Sequence, residues 1–129
     1  MKRAGFVLGL GVLVLLLGAA SASAQTANFQ GNCPVSGSTV NCQFDAQRGG
    51  GSSCPASFIW KYSWDYGDGT GSGLTGSSVV NHSYPAPGAG AYQVTLTVIC
   101  WDGAMPTRTR WMCISFGVPG CILVNNGWN

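Results

Sequence analysis

The segment from Trp60 to Gly69 constrains the fold more than any other stretch of the chain. Aromatic and polar residues alternate from residue 60 to residue 66, and this period of two predicts a β-strand with one buried face. Gly67-Asp68-Gly69 then predicts a turn, because glycine tolerates positive φ and aspartate can hydrogen-bond the backbone two residues on. Aromatic side chains of this size dominate a small core. The predicted core face comprises Trp60, Tyr62, Trp64 and Tyr66.

Alternating patterns recur along the rest of the chain. The clearest runs from Tyr92 to Cys100, where apolar residues share one face and Gln93, Thr95 and Thr97 share the other. No stretch after Ala24 shows a helical period, and Gly- and Pro-rich turns separate the strands. These features predict an all-β sandwich of about seven strands in two sheets. The predicted strands are 28–29, 39–45, 58–66, 77–84, 92–100, 107–118 and, briefly, 121–124, with a loop at 67–76.

The first 24 residues have the pattern of a secretory signal peptide. Met1-Lys2-Arg3 is basic, residues 4–20 are apolar, and small residues precede a predicted cleavage after Ala24. A retained membrane helix is the alternative, although 17 apolar residues are at the short limit for spanning. Residues 25–129 then form one domain, a size that suits a β-sandwich. We expect a secreted protein, extracellular or periplasmic, with no membrane contact after cleavage.

The charge balance of the mature chain argues against a partner that binds mainly through charge, such as nucleic acid. The whole chain has a formal net charge of +2, but two of its six basic residues lie in the signal segment, which leaves four basic against four acidic residues. A net charge of zero offers no basic face for nucleic acid. The charged residues of the mature chain are Arg48, Lys61, Arg108, Arg110, Asp45, Asp65, Asp68 and Asp102.

Six cysteines lie in the mature part of the chain. An even number of cysteines in an exported protein predicts disulfides. A metal site would need closely spaced cysteine pairs or histidine partners, and the chain has one histidine. We therefore favour three disulfides over a metal centre. The cysteines are Cys33, Cys42, Cys54, Cys100, Cys113 and Cys121.

The motif around the central turn resembles that of a known family. Trp64-Asp65-Tyr66-Gly67-Asp68-Gly69 is similar to the W-D-F-G-D-G motif of PKD domains, with Tyr66 where the family usually has Phe. His82-Ser83-Tyr84 followed by residues 91–98 resembles the second half of the same pattern. The order of Phe29, Cys33, Cys42 and Phe44-Asp45-Ala46 also agrees with it. The resemblance spans residues 27–118, which leaves 119–129 as a short C-terminal extension.

This resemblance implies an Ig-like sandwich and, through it, a disulfide pattern. The loops before the central strand and after the Tyr92 strand would lie at one end, which pairs Cys54 with Cys100. The first hairpin would join Cys33 to Cys42, and Cys113 with Cys121 remains. Tyr92 opens its strand after a Gly-rich corner, where other sandwiches have a tyrosine whose hydroxyl bonds back to the main chain.

The sequence offers little for catalysis or metal binding. His82 shares a face with Val80 and Tyr84, so we expect a packed histidine with its ring nitrogens bonded to the main chain. The chain has no glutamate, and Asp65 and Asp68 are interpreted as turn residues. Ca²⁺ would need several loop oxygens, and Asp102 should lie at the opposite end from the central turn. The loop before the aromatic strand also lacks the aspartates that the family often has there. We expect neither an enzyme nor a cofactor.

The remaining candidates for contact with a partner are aromatic and basic residues near the end of the chain. Trp101 lies in a predicted turn, Trp111 on the last long strand beside Arg108 and Arg110, and Trp128 near the C-terminus. Flat aromatic faces can stack on sugar rings or anchor protein interfaces. A structural role, in which Trp111 covers a sheet and Trp128 folds back, is the alternative for these residues.

Together with the resemblance, this pattern predicts a non-catalytic extracellular module, bacterial by analogy with the family. Its expected partner is a polysaccharide or a protein, reached through the residues just named. The alternative is a structural subunit that self-associates to a homo-oligomer. A net charge near zero favours association, and residues 122–124 could add a strand to a neighbouring copy.

Overall fold

The computed structural model describes residues 24–85, 90–114 and 120–129, which form nine β-strands in two sheets. The predicted signal segment lies outside these residues except for Ala24, as does most of the predicted turn at 85–90. No helix in the described parts has the length and hydrophobicity that a membrane crossing requires. The strands are β1 (Gln30–Asn32), β2 (Val35–Ser36), β3 (Thr39–Asp45), β4 (Ile59–Asp65), β5 (Gly71–Thr75), β6 (Val79–Pro85), β7 (Ala91–Cys100), β8 (Thr107–Cys113) and β9 (Ile122–Leu123).

The larger sheet has the strand order β5-β4-β7-β8-β9. Its strands are antiparallel except for β8 and β9, which are parallel. β5 lies where a loop was predicted, and that prediction is wrong. Residues 71–75 pair with β4 through their backbone, and a Gly- and Ser-rich strand at a sheet edge has no apolar alternation that would reveal it.

The smaller sheet is organised around β3. β6 pairs with one edge of β3 over its whole length, from Thr39 opposite Pro85 to Asp45 opposite Val79. β1 and β2 follow one another along the other edge, interrupted at Cys33 and Pro34. The strand predicted at residues 28–29 is wrong, since the first strand is Gln30–Asn32.

The core between the sheets is aromatic. The indole of Trp64 meets the ring of Phe29 edge-on, with centroids 5.1 Å apart, and lies nearly parallel to the ring of Phe44 at 5.8 Å. β7 lies beside β4 in the larger sheet and contributes Val94, Leu96 and Val98, which are fully buried. Buried aromatic pairs of this kind contribute about 0.5–1.5 kcal/mol beyond the area that they bury.

Trp60 does not belong to this core, which corrects the prediction from the alternating pattern. Ile59 pairs with Cys100 and Lys61 with Ile99, so β4 has one residue more than β7 at this point. Such a β-bulge changes which face the next side chain occupies. Ile59 therefore packs against the core, and Trp60 is 42% exposed.

Three disulfides join the pairs expected from the sequence, Cys33–Cys42, Cys54–Cys100 and Cys113–Cys121. The first links β3 to the chain between β1 and β2. The second links the loop before β4 to the last residue of β7. The third links the end of β8 to the residue before β9, and no described cysteine is free.

The tyrosine whose hydroxyl returns to the main chain is Tyr84 and not Tyr92. Tyr84 is buried on β6 and donates a hydrogen bond of 2.8 Å to the carbonyl oxygen of Tyr66. The described residues give Tyr92 no such bond, and its ring stacks on Tyr84 with centroids 4.5 Å apart. The Tyr84 bond joins the two sheets, since Tyr66 follows β4.

The C-terminal extension completes the domain. Ile122 on β9 is fully buried, and Asn129 exchanges two backbone hydrogen bonds with Gly31 of β1. The extension thus pairs with the larger sheet through β9 and with the smaller sheet through Asn129. β9 pairs with β8 in the same chain and is the outermost strand of the larger sheet, so strand addition to a neighbouring copy by residues 122–124 stays a prediction.

Candidate binding surface

Three exposed aromatic side chains gather at one end of the larger sheet. We call Phe58, Trp60 and Trp101 the aromatic patch; they are 77%, 42% and 65% exposed. The indoles of Trp60 and Trp101 have centroids 5.7 Å apart and planes inclined by 52°. Lys61 places its ammonium 5.8 Å from the Trp60 ring centroid. Large apolar side chains that cluster in solvent mark interaction surfaces, whereas single ones are ordinary.

The backbone beneath the aromatic patch is held firmly. The β-bulge turns Trp60 outward, and the backbone N–H of Trp101 donates to the carbonyl oxygen of Phe58 at 2.9 Å. A tight turn follows, in which Gly103 donates to Cys100 and Ala104 donates to the Asp102 carboxylate. Because the Cys54–Cys100 disulfide lies directly before Trp101, the patch is positioned before any partner arrives.

The structure separates the two tryptophans that the sequence assigned to one surface. Trp111 lies on β8 opposite Gln93, on the outer face of the larger sheet. Trp101 directly follows β7 and is eight residues beyond Gln93, the partner of Trp111. Eight residues of extended strand span roughly 27 Å. Trp101 has instead been brought together with Phe58 and Trp60, neither of which was a candidate. The β-bulge was the missing signal, and it depends on pairing with β7.

Arg110 serves the fold and offers no free cation to a ligand. Its guanidinium donates to the main-chain oxygens of Phe29, Gly120 and Asn129 over distances of 2.9–3.2 Å. Desolvation, reinforced by the charge of Arg108, lowers the pKa of this guanidinium. Arg108 itself is exposed, on the same side of β8 as Arg110 and opposite to Trp111.

Trp128 also contacts its own chain. The guanidinium of Arg48 lies 4.1 Å from the centroid of its indole, a cation–π arrangement. The backbone of Trp128 forms a bridge with Asn32 at the edge of the smaller sheet. The structure therefore has Trp128 folded back on the domain, away from the aromatic patch.

The carboxylates and the histidine form a small cluster beside the central turn. His82 places Nε2 2.7 Å from a carboxylate oxygen of Asp68 and stacks on Tyr66 with centroids 3.9 Å apart. The expected bonds from its ring to the main chain are thus replaced by a side-chain partner. Thr70 donates to Asp68. Desolvation raises the pKa of Asp68, but the bonds from Thr70 and His82 outweigh it and hold this pKa below its usual value.

The partners of this cluster are described in full by its hydrogen bonds. In the part of the chain that the structure describes, His82 is bonded to Asp68, and the hydroxyl of Thr70 is bonded to the same carboxylate. The backbone register places Asp102 beyond Cys100, at the opposite end of the sheet from Asp65 and Asp68. Among the described residues no three His, Cys, Asp or Glu side chains gather where they could hold a metal ion. Asp65 acts as the turn residue expected, accepting from the backbone of Gly67.

Two sheets closed over an aromatic core and braced by disulfides define an Ig-like β-sandwich. Residues 19–112 match the family model described as PKD domain, and the chain belongs to this family. The match includes the Trp64–Gly69 motif and confirms the resemblance drawn from the sequence. PKD domains are generally non-catalytic modules.

Two solved structures illustrate the similarity. The PKD1 domain from the Vibrio cholerae metalloprotease PrtV is 28% identical, and the alignment covers 73% of this chain and all of that domain, with a TM-score of 0.48. The PKD1 domain of Vibrio anguillarum Epp is 27% identical over 75% of this chain and all of that domain, with a TM-score of 0.48. No curated protein matches the chain.

Proposed function

We propose that this protein is a non-catalytic binding module that acts outside the cytoplasm and contacts a polysaccharide through the aromatic patch. The observation that carries the proposal is the pair of exposed indoles of Trp60 and Trp101, with exposed Phe58 bonded to Trp101 through the backbone. Exposed indole and phenyl faces can stack on the apolar faces of sugar rings. Because the backbone is already ordered, binding sacrifices little conformational entropy.

The charge of the domain favours an uncharged polymer. The mature chain has four basic and four acidic residues, and Lys61 is the one cation described over a patch ring. Two flat rings inclined by 52° cannot lie on a single plane, so they fit a twisted chain or two neighbouring sugar units. The secretory pattern of residues 1–24 supports a location where such polymers are met.

Retention on insoluble neutral glycans tests the proposal. The oxidised protein is mixed with cellulose, chitin, xylan and mannan, and the bound fraction is measured for the wild type, Trp60→Ala and Trp101→Ala. Each substitution should weaken retention roughly tenfold or more, as expected for an aromatic anchor. Trp111→Ala is the matched control, because Trp111 is as exposed as Trp60, at 42%, but lies far along the sheet.

Equal retention of the wild type and the Trp60→Ala/Trp101→Ala double variant on every glycan would refute the aromatic patch as the contact surface. A protein partner is the remaining class, since buried aromatic anchors also dominate protein interfaces. It would be indicated by patch-dependent binding to immobilised protein matrices together with no retention on any glycan.

A further inference from the structure

The outer face of the smaller sheet carries an aligned row of carboxamides. Asn32 of β1 lies opposite Gln43 of β3, and Gln43 lies opposite Asn81 of β6. The adjacent row contains Gly31, Phe44 and Val80, with Phe44 fully buried, so the amide row faces solvent. Adjacent strands are about 4.8 Å apart, so the row crosses roughly 10 Å of the sheet.

This carboxamide row lies in a shallow groove of about 280 Å³. None of the residues that line the groove is Asp, Glu, Lys or Arg, and His82 is its one ionisable group. Every described member but the proline, the cysteine and the histidine carries a hydroxyl or a carboxamide. The lining residues are Asn32, Pro34, Asn41, Cys42, Gln43, Asn81, His82 and Ser83.

Among the residues that the structure describes, the carboxamides of the row have no hydrogen-bond partner. Ser83 donates to the side-chain oxygen of Asn41 at 2.8 Å, so that neighbouring pair is satisfied. The side chains of Asn32, Gln43 and Asn81 make no hydrogen bond to any other described residue. Each carboxamide presents two N–H donors and one carbonyl acceptor. The groove therefore offers six donors and three acceptors, all on strands whose backbone is fixed by pairing on both sides of β3.

We propose that this groove is a second binding site, for a neutral oligosaccharide chain. Sugar hydroxyls both donate and accept, which suits carboxamides better than ligands that only donate or only accept. Because no Asp, Glu, Lys or Arg lines the groove, an uncharged sugar chain fits it better than one with sulfate or uronic acid groups. An extended peptide usually adds to a sheet edge or fills apolar pockets, and this groove lies across the face of a sheet without an apolar pocket.

The groove is independent of the aromatic patch. The patch lies on the larger sheet and the groove on the outer face of the smaller sheet, so the core separates them. Binding at the groove therefore neither requires nor follows from retention through Trp60 and Trp101, and either proposal can fail alone. Two separated sites on one domain would allow it to hold two polymer chains together.

Nuclear magnetic resonance of the oxidised, ¹⁵N-labelled protein tests the groove directly. The side-chain NH2 signals of Asn32, Gln43 and Asn81 are followed while hexasaccharides of glucose, xylose, mannose or N-acetylglucosamine are added to the millimolar range. We expect these three NH2 pairs to shift in a saturable manner with at least one hexasaccharide. The NH2 pair of Gln93, an exposed carboxamide on the other sheet, should not shift.

Substitutions then assign the contacts. Asn32→Ala, Gln43→Ala and Asn81→Ala should each weaken binding of the active hexasaccharide roughly 2- to 10-fold, the range for one hydrogen bond. Gln93→Ala, outside both proposed sites, should leave it unchanged. The proposal is overturned if no hexasaccharide moves the three NH2 pairs in the wild-type protein. It is also overturned if these pairs respond to an unstructured Gly-Pro-rich peptide and not to any of the sugars.

Discussion

The Tyr84 hydroxyl is a single atom that ties one sheet to the other. It is buried between them and donates to the carbonyl oxygen of Tyr66. Burial raises the pKa of this hydroxyl far above the usual value for tyrosine, and the charge of Asp68 raises it further. The neutral hydroxyl is thus the form that the fold requires, and its loss would leave a buried carbonyl without its partner.

We expect Tyr84→Phe to lower the free energy of unfolding by about 1–3 kcal/mol, the cost of leaving a buried polar group unsatisfied. Chemical denaturation of the oxidised protein measures this value. Tyr92→Phe is the matched control, because Tyr92 stacks on Tyr84 but donates to no described main-chain group. If both variants lost the same stability, the hydroxyl of Tyr84 would have no special role.

The Asp68–His82 pair gives the fold an acid sensitivity whose direction can be derived. Because the folded-state pKa of Asp68 lies below its unfolded value, the ionised carboxylate stabilises the fold above about pH 3.9. That contribution is lost as pH falls through the folded-state pKa. Asp68→Asn should therefore lower the melting temperature near neutral pH and flatten its decline in acid. Thermal denaturation across acidic pH measures both, and identical profiles for wild type and variant would contradict this role.

Residue patterns revealed which side chains face inward wherever pairing is regular, as for Trp64, Tyr84 and Val94. They misplaced Trp60, since the extra residue in β4 is defined only by its pairing with β7. They also presented Arg110 as a surface cation, although its three partners are backbone carbonyls distant in sequence. Every residue has a main-chain carbonyl, so the sequence does not indicate which carbonyls accept from Arg110. Only the folded structure identifies them.

At the scale of elements, the turn after β4 decides how closely that strand approaches β7. Gly67 has φ of 81°, and a Cβ atom placed there would lie 2.3 Å from the carbonyl oxygen of Gln93. Gly69 has φ of 90° but no atom within 4 Å of the same position. The family motif therefore contains two glycines with different requirements: one needs conformational freedom alone, and the other also needs space.

This contrast predicts different losses for two similar substitutions. Gly69→Ala should lower the free energy of unfolding by about 1–2 kcal/mol, because a left-handed conformation strains a residue with a side chain. Gly67→Ala should cost about 1–3 kcal/mol more, since the backbone of Gln93 must move away. Urea denaturation of both variants measures the difference. Equal stabilities would show that the turn can shift without disturbing β7.

Strands were predictable from sequence where one of their faces is apolar, which holds for β3, β4 and β7. β5 was missed because its stability comes from backbone pairing with β4, and its Gly-Ser-Gly start looks like a loop. The C-terminal extension was predicted as a short strand, but its pairing with β8 was not. Pairing between β8 and β9 depends on the Cys113–Cys121 disulfide and on the burial of Ile122, and both are tertiary facts.

At the scale of the whole molecule, Arg110 connects segments that lie far apart in sequence. Its guanidinium joins β8 to the N-terminal segment at Phe29, to Gly120 and to the extension at Asn129. We expect Arg110→Met to lower the free energy of unfolding by about 2–4 kcal/mol, because hydrogen bonds to a charged group contribute about 1.5–3 kcal/mol. Arg108→Met, at an exposed position on the same strand, should change it by less than about 0.5 kcal/mol. Similar losses for both would refute the connecting role.

The disulfides act at the same scale but mainly on the unfolded chain. The chain-entropy model assigns about 2.5 kcal/mol to each short loop and about 4 kcal/mol to the loop between Cys54 and Cys100, whose ends are 46 residues apart. These values are upper figures, yet each is large against the roughly 5–15 kcal/mol stability of a small domain. The Cys54–Cys100 bond also adjoins the aromatic patch, so its removal should affect both stability and glycan retention.

We therefore expect the Cys54→Ser/Cys100→Ser double variant to lose more stability than Cys33→Ser/Cys42→Ser, and to retain less glycan under conditions where both remain folded. Calorimetry and the retention assay measure the two effects. Peptide mapping of the oxidised wild type should recover a peptide linked by Cys54 and Cys100. A map with Cys42 joined to Cys100 would contradict the strand arrangement, because Cys42 is paired with its neighbour at the edge of the smaller sheet. The fold and the position of the patch thus depend on the same covalent bond, and one map tests the basis of both.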